Sequence, residues 1–458
     1  MKSRKLSTTL LPFVLALAAL ARAQTSQQQI RRITLKEAIA TALRHQPDLT
    51  AAQAQAIAAD QQHKQALAAY YPSLSAGWST SDNYFSNPQV SGLTAVGGTT
   101  TGTNTQSAGN GASGLNSTSY ADLYLSYTVL DSGQRSATEQ SARAGSRASN
   151  WALANSKQTV IANAATDYYE LLRRAALVLV QQANVQHAQS TLDLTQAQVD
   201  QGTQAIRDVY QARADLETAK VDLLTAQNNR YVALAQFKQA LGLTDVDELE
   251  PADIRTDTNV SDDASKSLGD LLDVAYKTRP DILQAQQNVE REKANVRLAR
   301  ANNGLTLSVV TDVSSVFIQN QGNTRSLNLT ASLPLFDAGL SRAAIKQAEA
   351  TEASYAAQLA STRLAAKVDV ETAYRTLQTA RASVPAALSA QQAAQVNFDA
   401  ATESRREGIG TVLDVITAQN QLVQSQTNYV QALYTLYTAD VALLRAIGHT
   451  DAITGGLS

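Results

Sequence analysis

The chain has 458 residues, with 38 Lys and Arg against 40 Asp and Glu, and its formal net charge of -2 gives no reason to expect nucleic acid as a partner. Hydrophobic residues make up 44%, much of it Ala with few aromatics, a composition that favours helices over thick cores. There is no cysteine, which excludes disulfides and a bacterial lipid anchor on the mature N-terminus, so stability must come from packing or assembly.

The first segment, MKSRKLSTTLLPFVLALAALARAQ, has Lys2, Arg4 and Lys5, an apolar run, then Ala21-Arg22-Ala23. It reads as a secretory signal peptide over residues 1–23, cut before Gln24. A first structural repeat is expected over 24–242. It opens with a short helix from Leu35 that stops at Pro47, which suits the first turn of the next helix. Strands follow near 73–85 and 119–130, separated by a surface loop at 86–118 rich in Gly, Ser, Thr and Asn. Asp131 and Gly133 then permit a sharp change to helix. From about Ser136 to Asp200 there is no proline, so one helix of roughly 95 Å is expected as the first arm of a hairpin over 136–242. The hairpin ends at Gly242, suited to a left-handed cap.

An acidic linker at 243–267 leads to a second repeat at 268–448. Its strands fall near 304–318 and 325–336, its Asp-x-Gly turn is Asp337-Ala338-Gly339, and its hairpin spans 340–448 before a tail at 449–458. Pro385 lies inside that hairpin, so a kink or break is expected near Ala382 to Val384. In the last helix Val415, Leu422, Tyr429, Leu436 and Leu443 recur every seven residues, and Ile416, Val423, Val430, Tyr437 and Leu444 form a neighbouring seam. Two seams let one helix pack against partners on both sides, as in coiled coils.

The duplication is explicit in the residues. LKEAIATALRHQPDLTAAQ from Leu35 aligns without a gap on LGDLLDVAYKTRPDILQAQ from Leu268, and the same offset carries Ser73 onto Thr306. A second offset places Asp131 on Asp337, Gly202 on Gly408, Asp208 on Asp414 and Gly242 on Gly448. The extra length of the 86–118 insertion absorbs the change of offset.

Two of the strands alternate plainly: Leu327, Leu329, Ala331, Leu333 and Leu335 fall on one side in the last, with Asn328, Thr330 and Ser332 on the other. In the second, Ala121, Leu123, Leu125, Tyr127 and Val129 share one face, and Asp122, Tyr124, Ser126 and Thr128 the other. A soluble antiparallel sheet and a transmembrane barrel both show this pattern. Four strands do not close a barrel, and open edges are prohibitive in lipid, so a membrane reading requires strands pooled between subunits: eight from two chains or twelve from three.

The duplicated order, the strand pairs followed by VLDSG or LFDAG, and GTVLDVITAQNQL after the second turn together make the chain resemble the TolC-type outer-membrane efflux family over nearly its whole mature length. That resemblance implies a mainly α fold with a membrane β-barrel. Four strands per subunit pool in a trimeric twelve-stranded barrel that continues into a long periplasmic helical tunnel. It implies a homotrimer in outer-membrane lipid, working with a periplasmic adaptor and an inner-membrane pump as a passive exit duct for efflux or type I secretion, with no cofactor. It also places Gly202, Thr203, Gly408 and Ile409 at hairpin tips that meet the adaptor, and Asp414 in an acidic ring at the entrance. A second acid one turn on is replaced by Thr417, and contacts that hold the gate shut map onto Arg207, Asp208, Arg405 and Gly410. Arg405 stands for an aromatic and Gly410 for a basic residue, so Arg405 or Arg406 pairing with Asp208 is the expected substitute. Asp208 and Asp414 also each open a helix, where an acid is favoured by roughly 0.3–1 kcal/mol. The four histidines are scattered without metal-ligand spacing, and GIG at 408–410 is too short for a nucleotide loop, so no catalytic or metal site is expected. The competing class is a soluble periplasmic coiled-coil adaptor or scaffold. The substrate and the cognate pump are not written in the residues.

Overall fold

A computed structural model describes residues 31–85, 114–243, 249–252, 260–316 and 323–454. The expected signal peptide, most of the 86–118 loop and much of the acidic linker lie outside the described residues. In chain order the elements are β1 (Arg31–Ile33), α1 (Leu35–His45), α2 (Pro47–Ala68), β2 (Ser73–Phe85), β3 (Gly114–Leu130), α3 (Gln134–Asp200), α4 (Ile206–Ala240) and β4 (Leu249–Pro251). They continue with α5 (Leu268–Thr278), α6 (Pro280–Ala301), β5 (Thr306–Val316), β6 (Asn323–Ser332), α7 (Leu340–Arg406) and α8 (Val412–Ala446). α3 and α7 are 67 residues each, and α4 and α8 are 35 each, so the two halves match in helix length. No described helix is long and apolar enough to cross a membrane.

The chain divides into two compact units. One takes residues 59–146 and 287–356, and the other takes the rest. The first unit holds a four-stranded antiparallel sheet in the order β2-β3-β5-β6. Its register carries the duplication. Ser73 pairs with Ser126 in β2–β3, and Thr306 pairs with Ser332 in β5–β6, which are equivalent positions under the two sequence offsets. Both hairpins thus have one register, fixed in each by the same alternation. The register puts Leu74, Trp78, Leu123, Val309 and Leu329 on one face and Ser75, Ser79, Asp122, Asp312 and Asn328 on the other. Trp78 is 79% exposed and Leu327 76%, so the apolar face has no cover among the described residues. β6 ends at Ser332 and not at 336, because Pro334 cannot donate to a ladder and β6 has no outer neighbour among the described residues.

The other unit buries the larger core. Ile33, Ile39, Tyr168, Leu171, Phe237, Leu271, Leu436 and Leu443 are essentially inaccessible within it. Tyr168 lies 5.8 Å from Phe237, and Tyr169 stacks on Tyr437 at 5.1 Å, so the aromatic residues gather where the helices converge. Thr34 and Glu37 form a reciprocal cap on α1, and Ser267 accepts from Asp270 N on α5. The end of each repeat docks on the joint between its own first two helices. Gly242, at φ +70, lies so close to His45 that an added Cβ would come within 2.5 Å of the carbonyl oxygen. Gly448 makes the corresponding approach to Thr278, whose hydroxyl donates to Ile447 O at 2.6 Å.

α7 is unbroken through Pro385. Of the expected kink or break, the break does not occur, although the proline removes one backbone donor. Packing outweighs that loss: Leu377, Ala380 and Val384 before the proline are buried in the main core, and Ala394 and Phe398 after it in a smaller cluster. Loss of that many apolar contacts would exceed the about 3 kcal/mol set by an interior proline.

Candidate functional site

The two helical hairpins end in turns built alike. After α3, Gly202 adopts φ +75, and Thr203 N and Oγ1 both donate to Gln198 O, at 3.0 and 2.9 Å. After α7, Gly408 adopts φ +81, and Ile409 N and Gly410 N both donate to Ser404 O at 3.0 Å. The orphan carbonyls of each helix end are thereby met, and only glycine enters the left-handed turn without strain. The expected tip residues Gly202, Thr203, Gly408 and Ile409 are therefore first of all turn formers. Ile409 and Leu413 are exposed at the second tip and Ile206 at the first.

The helices that leave the tips start differently. Thr411 caps α8: its hydroxyl accepts from Asp414 N at 3.2 Å and donates to Asp414 Oδ2 at 2.7 Å, while Thr411 N donates to the same oxygen at 2.9 Å. These two donations from Thr411, hydroxyl first and then backbone, hold the Asp414 carboxyl below its ordinary value. A folded value below the unfolded one means that this stabilisation is complete above the unfolded value of about 4 and is lost as pH falls through the folded one. Protection of the first-turn amides of α8, measured against the intrinsic exchange rate at each pH, is therefore expected to fall on acidification below that range, and Asp414→Ala is expected to show the lower protection already at neutral pH. Unchanged protection in the variant would show that the cap contributes nothing to the tip. Thr417, one turn on, spends its hydroxyl on Leu413 O at 2.8 Å.

α4 has Ala205 at its cap and no side-chain capping bond. Its first-turn acid, Asp208, turns instead towards the other hairpin. With the Gln204 amide oriented so that both its groups are met, Gln204 Nε2 donates to Asp208 Oδ2 at 2.9 Å and Gln204 Oε1 accepts from Arg405 Nη1 at 3.0 Å. Arg405 is only 2% exposed, and its Nε and Nη2 have no partner among the described residues. Burial lowers the Arg405 pKa, and the charge of Asp208 opposes that shift. Gln198 Nε2 adds a long contact to Arg405 O at 3.5 Å. Arg207 Nε stands 3.6 Å from Asp208 but is almost fully exposed, so it contributes little. Arg406 takes no part, since it pairs with Glu403 at 3.3 Å on the surface.

The direct arginine–aspartate pair expected from the residues is thus replaced by a relay, Arg405–Gln204–Asp208, that ties α7 to the start of α4. Gln204 was not singled out in the sequence. The geometry also accounts for Gly410. A Cβ there would lie 3.1 Å from Arg405 N and 3.2 Å from Ser404 C, so a long basic side chain would press on backbone. Above the tips two further contacts join the hairpins. Gln419 Nε2 donates to Asn184 Oδ1 at 2.7 Å in a buried setting, and His187 meets the Phe398 ring at 4.9 Å. The packing there is thin: Ala188, Leu216 and Ala219 in one hairpin, Ala394, Phe398, Val415, Ala418 and Leu422 in the other. Small clusters of this kind give low local stability.

In the sheet unit, Asp131 and Asp337 act as matching turn formers. Asp131 Oδ1 accepts from Gly133 N at 3.1 Å and Oδ2 from Arg135 N at 2.8 Å; Asp337 does the same with Gly339 N at 3.0 Å and Ser341 N at 2.9 Å. Gly133 and Gly339 sit at φ +92 and +90. The residues between, Ser132 and Ala338, are left-handed as well, at φ 53 and 54, which the sequence pattern did not signal. Among the described residues no group of three His, Asp or Glu is placed to hold a metal ion.

Comparison with known proteins places the chain in a family. The family model for outer membrane efflux proteins matches residues 38–243 and 271–449, one match in each repeat. The outer membrane efflux protein BepC of Brucella suis is 26% identical over 310 residues, 67% of this chain and 66% of that protein. The outer membrane protein TolC of Escherichia coli is 24% identical over 355 residues, 74% of this chain and 71% of that protein. Among solved structures, CusC superposes with a TM-score of 0.75 over 93% of this chain and 95% of its own, at 18% identity, a likeness of fold. With the family model covering most of both repeats, the chain belongs to the outer membrane efflux protein family.

Proposed function

We propose that this protein is the outer-membrane exit duct of a tripartite efflux or type I secretion system, which passively conducts solutes delivered by an inner-membrane pump and a periplasmic adaptor. The observation that carries the reading is the four-stranded sheet with one polar face and one exposed apolar face, open at both edges. Such a sheet satisfies its edges in lipid only by pairing with further strands. Three copies would supply twelve strands and place the polar faces around a water-filled lumen. Asp122 and Asp312 then face that lumen, and no Lys or Arg stands on the same face of the paired strands in residues 73–80, 119–130, 306–315 and 323–332, which favours cations.

No step of chemistry is asked of any residue. The hairpin tips would form the periplasmic entrance, with Gly202, Thr203, Gly408 and Ile409 facing the adaptor. Asp414 from three copies would supply one ring of negative charge. The relay from Arg405 to Asp208 would hold neighbouring hairpins together when the entrance is shut. A soluble adaptor or scaffold has no use for an uncovered apolar sheet face, so it explains less. The test is to express the full precursor, separate inner from outer membranes, extract with detergent, and measure the detergent-corrected protein mass. Three copies recovered from the outer membrane are expected; a water-soluble single chain would overturn the reading.

A further inference from the structure

The duplication fixes more than the fold of one chain. Within the sheet there are two kinds of junction. β2–β3 and β5–β6 are the hairpins inside each repeat, and their registers coincide residue for residue under the repeat offsets. β3–β5 is the junction between repeats, where the last strand of repeat one meets the first strand of repeat two. The sheet leaves the last strand of repeat two, β6, and the first strand of repeat one, β2, at its open edges. These are the equivalents of β3 and β5.

We infer that β6 of one copy pairs with β2 of a second copy in the register that the β3–β5 junction already displays. This rests on the pooled-strand reading above and goes beyond it by naming which residues meet. In β3–β5, Tyr124 is opposite Asp312, Leu125 opposite Thr311, and Ser126 opposite Val310. The equivalent positions set Thr330 opposite Ser79, Ala331 opposite Trp78, and Ser332 opposite Gly77 of the second copy. Every such pair joins residues of the same face. A slip by one residue would carry the exposed Trp78 to the polar side and is excluded by the alternation. A slip by two preserves the faces, so only the internal junction discriminates against it.

The equivalence ends at the foot of the strands. Ser132 Oγ donates to Leu305 O at 2.8 Å because Gly304 leaves room for it. The positions equivalent to Ser132 and Gly304 at the open edges are Ala338 and Tyr71, which offer neither the hydroxyl nor the room. The shared register therefore covers the strands and not the Asp337 turn.

The chain has no cysteine, so engineered pairs report without background. Three double variants, each made in the full chain and oxidised in native outer membranes, decide the matter: Ser79→Cys with Asn328→Cys, with Thr330→Cys, or with Ser332→Cys. Within one chain these positions lie three strand spacings apart, about 14 Å, beyond the reach of a disulfide. Opposed residues meet the Cβ separation a disulfide needs, whereas partners two residues away do not. The expected result is near-complete loss of the monomer band to covalent multimers for 79 with 330, and weak or no linkage for the other two. The internal pair Tyr124→Cys with Asp312→Cys, opposed in the known junction, sets the attainable yield. Preferential linkage of 79 with 328 or with 332 would overturn the register while leaving the pooling of strands intact. A multimeric particle in which none of the three pairs links would overturn β6–β2 pairing itself. A single-chain particle would overturn the pooled reading together with the register.

Discussion

Replacing Asp208 with alanine is expected to loosen the joint between the two hairpin tips and to raise single-channel conductance in planar bilayers. Arg405 is a buried cation whose only side-chain partner among the described residues is the Gln204 amide, and that amide is polarised by Asp208 on its far side. Breaking a fully buried direct ion pair typically destabilises by about 3–5 kcal/mol, because the remaining charge is left uncompensated. Here an amide intervenes and the Asp208 side chain is 21% exposed, so about 2 kcal/mol is the more reasonable figure. That is roughly a thirtyfold shift between closed and open tips. Two further variants separate the physical contributions. Asp208→Asn keeps an acceptor for Gln204 but removes the charge, and should fall between wild type and Asp208→Ala. Arg405→Met with Asp208→Ala removes the buried charge along with its counter-charge, and should close the channel again, since apolar replacement of a buried pair is often neutral or stabilising. Arg406→Ala, which breaks only the surface pair with Glu403, should leave conductance unchanged. If Asp208→Ala conducts as wild type does, or if the double variant conducts as freely as the single one, the relay does not hold the entrance.

The parts of this molecule that the sequence made legible are those governed by local periodicity and by duplication. The offsets that align Pro47 with Pro280 and Gly242 with Gly448 reappear as identical strand registers and as two equivalent dockings of a terminal glycine on a helix joint. The seven-residue seams of the last helix are largely buried: Val415, Leu422, Leu436 and Leu443 on one, Ile416, Tyr437 and Leu444 on the other. What local rules do not carry is the balance between competing terms. Pro385 reads as a kink or break, yet tertiary packing keeps α7 continuous. Ser132 and Ala338 read as ordinary residues between Asp and Gly, and only the direction the chain must take into the following helix forces them left-handed.

The tip shows the same division. Glycines and first-turn acids follow from turn and cap chemistry, so Gly202, Gly408, Asp208 and Asp414 could be named. The residue that joins the hairpins could not, because Gln204 is an unremarked polar residue in a turn and its role depends on a contact with a distant part of the chain. The sequence does carry one signal for this joint. Arg405 lies seven residues beyond Phe398, and the repeat offset places it on Val199, so an arginine occupies an apolar seam position. A charge there is either an error of register or a buried partner of something, and the second possibility points to the neighbouring hairpin.

Gly304→Ala is expected to be the most disruptive single methyl that can be added near the sheet. The new Cβ would fall 2.1 Å from both Cβ and Oγ of Ser132, and 3.2 Å from Ala301 O. The serine cannot rotate away, because its Cβ is itself in collision and its backbone is held left-handed by the Asp131 turn. Either β5 must move off the turn or the turn must open, and overpacking of this kind costs about 1–3 kcal/mol or more. The bond from Ser132 Oγ to Leu305 O is lost as well, a further ~1 kcal/mol. The readout is the temperature at which the detergent-extracted particle dissociates, which should fall. Ser132→Gly identifies the cause. Alone it gives up that hydrogen bond but relieves a left-handed non-glycine residue, so its net effect should be small. Combined with Gly304→Ala it removes both atoms in collision and should restore most of the lost stability. If the double variant is no more stable than Gly304→Ala alone, the turn and the strand are not in contact as described, and the anchor of β5 to the Asp131 turn has to be sought elsewhere.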